Sequence, residues 1–103
     1  MTPADIIRKQ IGGRALFMLG AKDLYSEDEG RTFHFRVGRN EKGVNIVKIT
    51  LDPSDTYTVR FLSARRKKGE YAPTIKVLAE CSDVYVDSLH ATLEAHTGMY
   101  TSL

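Results

Sequence analysis

The sequence has little of what secreted, disulfide-bonded or membrane-spanning proteins require. It contains one cysteine, Cys81, which excludes an internal disulfide, and no tryptophan. No run approaches the roughly 18 apolar residues that a membrane helix needs. The segment 1–5 carries an acid where a secretory signal would carry a basic and then an apolar region. We therefore expect a cytoplasmic protein with no membrane partner, in which Cys81 is a small buried side chain.

Motifs for catalysis and metal binding are missing as well. The three histidines, His34, His90 and His96, form no H-E-x-x-H pair and no Cys-His cluster in the sequence, and no serine lies in a nucleophile elbow. The acidic stretch 27–30 lacks the spaced oxygen ligands of a calcium loop. The loop 38–43 lacks the spacing of a phosphate-binding loop. The sequence thus predicts a non-catalytic protein without metal or cofactor.

What the sequence does have is a series of β-strands with two-residue alternation. Apolar side chains alternate with polar ones in four segments, 32–37, 46–51, 57–62 and 74–81. Successive side chains of a strand point to opposite faces of a sheet. Each strand is therefore expected to have one apolar side, including Ile75, Val77, Ala79 and Cys81 in the last one, and one wetter side.

The remaining elements are predicted from caps, glycines and shorter patterns. Thr2 as N-cap and Pro3 as first helical residue predict a short helix that ends at Gly12. Further predictions are a buried strand at 15–19, a brief strand at 24–25 that pairs with 32–33, and a helix at 83–97 with a stripe of Tyr85, Leu89, Leu93 and His96. The expected fold is a single α+β domain, residues 1–103. An antiparallel meander of about five strands carries both helices on its apolar face.

Positive charge is concentrated on the strand segment. Residues 31–81 hold eleven Lys or Arg against five Asp or Glu, whereas both flanks are mildly acidic. Alternation is expected to place one cation of each strand on the wetter face, namely Arg36, Lys48, Arg60 and Lys76. A hairpin tip adds Arg65, Arg66, Lys67 and Lys68. This distribution favours a polyanionic partner, although solvation and protection of sheet edges by Lys and Arg would produce a similar pattern.

Three segments resemble a family of small proteins encoded by tailed bacteriophages and prophages. They are IGGRALFMLGAKD (11–23), VNIVKITLDPSDTYTVRF (44–61) and HTGMYTSL (96–103). The sequence departs from the family pattern at Leu19, Asp23 and Met99, which leaves open the role of the turn Gly20-Ala21-Lys22-Asp23. The resemblance implies a phage origin and a setting of DNA metabolism or counter-defence in the bacterial host cell. It implies nothing about chemistry.

Two functions are consistent with these observations. The first is non-specific nucleic-acid binding, in which phosphates contact the eight cations named above. The second is a phage counter-defence, anti-CRISPR-like inhibitor that binds a host defence protein. The sequence leaves open whether the nucleic acid is DNA or RNA, single- or double-stranded, and whether the protein forms a homodimer.

Overall fold

Five strands form one antiparallel sheet in chain order, and helices from both ends of the chain pack on one of its faces. The computed structural model describes residues 2–66, 68–69 and 71–101. The helices are α1 (Pro3–Ile11), α2 (Gly13–Met18) and α3 (Leu89–Thr97), and the strands are β1 (Lys22–Glu27), β2 (Thr32–Arg36), β3 (Ile46–Leu51), β4 (Tyr57–Arg65) and β5 (Thr74–Val84). The predicted α+β meander is confirmed.

Helix α1 begins with a capping box. The Asp5 amide donates to Thr2 Oγ1 over 3.2 Å, and the Thr2 amide donates to Asp5 Oδ2 over 2.9 Å. Two amides that lack a partner inside the helix are satisfied in this way. Pro3 occupies the first position, and the helix ends at Gly12, whose φ of +87° favours glycine. The predicted N-terminal helix is confirmed.

The prediction of a buried strand at 15–19 is wrong, because this segment forms α2 and its C-terminal end. Ala15, Leu16 and Leu19 are buried while Phe17 is 85% exposed, a spacing that fits a helix and not a strand. Gly20 follows with φ +66°. A Cβ at Gly20 would lie 3.2 Å from Gly38 Cα. The turn that opens with Gly20 therefore lets the chain pass close to the start of the next loop.

The core lies between the three helices and one face of the sheet. Its fully buried side chains include Ile7, Ile11, Leu19, Phe35, Val47, Ile49, Val59, Phe61, Leu89 and Leu93. In β2, β3 and β4 the core positions are the alternate apolar residues that the sequence predicts. The helices lie opposite the face that bears Lys48 and Arg60. None of the described helices is long and apolar enough to cross a membrane.

Strand β5 departs from simple alternation. Its pairing with β4 shifts in register at two places. One shift lies opposite Phe61 and Leu62, and the other lies opposite the segment from Tyr57 to Val59. Each extra residue in a bulge reverses the face on which the following side chains lie. Ile75 and Val77, predicted on the core side, are therefore 59% and 55% exposed.

The C-terminal helix starts later than predicted. Strand β5 continues to Val84, which pairs with Tyr57, and a single helical turn at Val86–Ser88 precedes α3. Ladder hydrogen bonds to β4 thus occupy part of the segment for which a helix was predicted. Tyr85 is 64% exposed, whereas Leu89 and Leu93 are buried as the helical stripe requires.

Candidate nucleic-acid interface

The outer face is the side of the sheet opposite the helices, and its side chains form rows across the strands. The register gives a row of threonines, then a mixed row, then a largely apolar row: Thr32, Thr50 and Thr58; Tyr25, His34, Lys48, Arg60 and Glu80; Arg36, Ile46, Leu62 and Val77. Side chains directly opposite on neighbouring strands are close enough to interact. The outer face is therefore mixed in character and not a continuous series of cations.

Acids from the two edge strands pair with the cations of this face. Lys48 Nζ lies 3.2 Å from Glu27 Oε2, Arg60 Nε lies 2.6 Å from Glu80 Oε1, and Arg36 Nη1 lies 3.9 Å from Asp23 Oδ2. Three of the four predicted face cations thus have a carboxylate beside them. A phosphate that bound at these positions would meet a surface whose positive charge is largely compensated.

The fourth predicted face cation, Lys76, is not on the outer face. It pairs with Ser63, whereas Val77 pairs with Leu62. The bulge near Leu78 shifts β5 by one residue, which places Lys76 on the core side of the sheet. The expectation that Arg36, Lys48, Arg60 and Lys76 share one face is therefore wrong.

An aromatic stack and a shallow groove occupy the outer face. The ring of Tyr25 lies on that of His34, with centroids 4.1 Å apart and an interplanar angle of 25°. His34 is 5% exposed, and its Nδ1 has no hydrogen-bond partner among the described residues. Burial is the main influence that lowers the pKa of His34, and it outweighs the opposing effect of Glu27. The groove has a volume of about 730 Å³, and Ile46 and Leu62 are among the residues that line it.

Positive and negative charge are separated between the two ends of the sheet. In a meander, the β2–β3 and β4–β5 connections lie at one end, and the β1–β2 and β3–β4 connections lie at the other. Among the described residues of the sheet and its connecting segments, the first end holds eight cations against Asp23 and Glu41, and we call it the basic end: Lys22, Arg36, Arg39, Lys42, Arg65, Arg66, Lys68 and Lys76. The second, the acidic end, has Arg31 and seven acids: Glu27, Asp28, Glu29, Asp52, Asp55, Asp83 and Asp87.

Three cations of the basic end surround one hollow. Lys42, Arg65 and Lys76 line a cavity of about 370 Å³ together with the hydroxyl residues Ser63 and Thr74. We call it the basic hollow. Among the described residues, no ion pair involves any of the three cations. Arg65 Nε donates to Ser63 Oγ over 3.4 Å, which orients the guanidinium. The hollow, which Leu78 also lines, thus has three cationic side chains around it.

The structure divides the predicted hairpin cations. Arg65 lines the basic hollow, Arg66 lines the outer groove, and Lys68 is exposed. Lys67 lies outside the described residues. Sequence reasoning missed Lys42, because its loop was considered only as a phosphate-binding loop. The meander topology itself could have shown that this loop lies beside the β4–β5 hairpin.

The core side also brings together two residues that are 15 positions apart. Cys81 Sγ lies 3.2 Å from His96 Nε2, and the His96 ring stacks on Phe61 with centroids 4.7 Å apart. Sequence spacing did not indicate this contact. Among the described residues, no group of three or more His, Cys, Asp or Glu side chains is arranged to hold a metal ion.

Similarity to known proteins does not identify the chain. No protein-family model matches the sequence, and neither the curated proteins nor the solved structures contain a significant match.

Proposed function

We propose that this protein binds nucleic acid non-specifically, through phosphate contacts at the basic end of the sheet. The observation that carries the proposal is the basic hollow, a single cavity lined by Lys42, Arg65 and Lys76 from three segments of the chain. Phosphate contacts supply affinity without reading sequence. No catalytic step is proposed, and the resemblance to phage proteins supports action in the cytoplasm of a bacterial host.

Contacts at the basic end are favoured over contacts on the outer face because of the ion pairs. Lys48 and Arg60 each have a carboxylate within 3.2 Å or less. A phosphate there would compete with Glu27 or Glu80 for the same donors and would be repelled by the carboxylate. At the basic hollow the ammonium and guanidinium groups have no such competitor among the described residues. Arg66 and Lys68 extend the positive surface from the same hairpin.

The test is the salt dependence of binding, measured by fluorescence anisotropy on single-stranded DNA, duplex DNA and RNA. If about four phosphates are contacted, log affinity should fall against log salt with a slope of about −3.6 on duplex DNA and about −2.8 on single strands. The triple variant Lys42→Gln, Arg65→Gln, Lys76→Gln should flatten the duplex slope by about 2.7, since each contact contributes about 0.9.

The matched control removes charge from the outer face. The double variant Arg60→Gln, Glu80→Gln deletes one ion pair and leaves net charge unchanged, so its slope should equal that of the wild type. A triple variant that binds like the wild type would exclude the basic hollow as the site. Failure of the wild type to bind any of the three nucleic acids at about 50 mM salt would overturn the proposed function.

A second candidate function is inhibition of a host defence protein, and the acidic end favours it. Among the described residues of the sheet and its connecting segments, seven acids and one cation lie there, a charge pattern able to occupy a basic nucleic-acid-binding surface. This inhibitor would compete with nucleic acid for the host protein. The variant Asp28→Asn, Glu29→Gln should weaken that competition, whereas the basic-hollow variant should leave it unchanged.

A further inference from the structure

Strand β5 is an edge strand of the sheet and carries exposed apolar side chains. It is the longest strand, at 11 residues, and it ends the sheet order. Ile75, Val77 and Leu78 are 59%, 55% and 41% exposed. Six of the nine exposed large apolar side chains of the described chain lie within residues 71–86. The apolar surface of the molecule is therefore concentrated along this one edge.

The exposed side chains of β5 lie on both sides of the sheet. Ile75 contributes to the outer groove, while Leu78 contributes to the basic hollow on the core side. A partner that packed flat on either face would leave the other side chain in water. A partner strand that paired with the β5 edge would cover both sides, because its own side chains alternate between the two faces.

Strand β1, at the other edge of the sheet, is shorter than β5 and exposes less apolar surface. Strand β1 has six residues, and its exposed positions include Lys22, Asp23 and Ser26. Its pairing with β2 is irregular between Lys22 and Tyr25. Charged side chains and a bulge on a short strand are devices that keep an edge from pairing. Strand β5 also has bulges and the exposed charged residues Lys76 and Glu80, but it exposes three large apolar side chains where β1 exposes one, Tyr25.

We propose that β5 pairs antiparallel with β5 of a second copy, which joins two sheets into one of ten strands. The direction follows from charge. Strand β5 runs from the basic end to the acidic end, so antiparallel pairing places the basic end of each copy beside the acidic end of the other. Parallel pairing would bring like charges together. A twofold axis near the middle of β5 makes the interface self-complementary, as closed dimers require.

The experiment is sedimentation velocity combined with light scattering over a range of protein concentrations, without nucleic acid. The wild type should approach twice the chain mass of 11.6 kDa as concentration rises. Val77→Lys places a charge on the pairing edge and should remain monomeric at concentrations where the wild type is a dimer. Because Val77 is 55% exposed, the variant should keep the circular dichroism spectrum of the wild type.

Phe17→Lys is the matched control, since Phe17 is 85% exposed and lies on α2, away from β5. This variant should dimerise like the wild type. A folded wild type that stays monomeric at all concentrations would overturn the inference, as would a dimer that Val77→Lys leaves intact. The anisotropy measurements test the proposed nucleic-acid binding separately, because they follow binding and not the mass of the protein.

Discussion

Each face of the sheet has side chains that are almost completely buried, but the two faces bury them by different means. On the core side Phe61 is fully buried beneath α3, and Leu93 of that helix is fully buried as well. On the outer face Leu62 and His34 are 6% and 5% exposed, although the helices lie on the opposite side. There the covering atoms come from neighbouring side chains, as where Tyr25 lies on His34.

Burial alone therefore does not determine what a side chain contributes to stability. A truncation on the core side leaves a closed space that the helices and strands cannot fill, and this adds a cavity cost to the lost transfer free energy. A truncation on the outer face enlarges a groove that is already open to water, so the cavity cost is small. The following substitutions measure this difference between the faces, from the largest expected effect to the smallest.

Leu93→Ala should lower the free energy of unfolding by about 2–4 kcal/mol, because a fully buried leucine of α3 is truncated inside the core. Urea denaturation followed by circular dichroism measures the change. An unchanged denaturation midpoint would mean that α3 contributes little to the core. The core side would then show no larger cavity cost than the outer face.

Leu62→Ala should cost less, about 1–2 kcal/mol, although Leu62 is almost as buried as Leu93. The side chain floors the outer groove, and water can occupy the space that it leaves. The same denaturation experiment applies. If the two leucine variants are equally destabilised, the outer face must be as tightly packed as the core.

Arg60→Gln should change stability by less than about 1 kcal/mol. The Arg60–Glu80 ion pair is short, but its two side chains are 49% and 47% exposed. Solvent screens such a pair, and the loss of side-chain freedom offsets part of the attraction. A double-mutant cycle with Glu80→Gln isolates the energy of the ion pair. A coupling energy well above about 1 kcal/mol would mean that the pair contributes substantially to the stability of the fold.

His34 should give the smallest effect, visible as a pH dependence. Burial lowers its pKa in the folded state, so the unfolded chain takes up a proton first as pH falls below the ordinary value of 6.5. The stability due to neutral His34 is thus complete above that pH and declines as pH falls toward the folded pKa. His34→Gln should flatten the decline of stability as pH falls below the ordinary value of 6.5. Identical dependence of stability on pH in the wild type and in the His34→Gln variant would contradict this prediction.

Local rules account for the parts of the fold that the sequence predicts correctly. The capping box needs only Thr2 and Asp5, three residues apart. The strands β2, β3 and β4 follow two-residue alternation because they lie inside the sheet and pack against helices on one side only. For the run 15–19 no local pattern distinguishes strand from helix, because five consecutive apolar residues are equally consistent with a buried strand and with a buried helical turn.

The candidate site is formed by contacts between residues that are far apart in the sequence. Lys48 and Glu27 are 21 residues apart, and only the pairing of β1, β2 and β3 brings them together. The bulge in β5 that moves Lys76 to the core side has no glycine or proline to mark it. Total charge and alternation therefore identified the basic segment and placed Arg36, Lys48 and Arg60 on the outer face, but they showed neither the carboxylates beside these cations nor the shift of Lys76.

The separation of charge between the two ends gives the molecule a large electric dipole, which its net charge of +2 conceals. If the proposed function holds, the field of a nucleic acid would exert a torque on such a molecule and turn its basic end forward before contact. Orientation during that encounter would raise the association rate above that expected for a weakly charged sphere, and added salt would remove the advantage as the Debye length shortens. The same dipole should allow the protein to be retained by both anion- and cation-exchange resins at low salt.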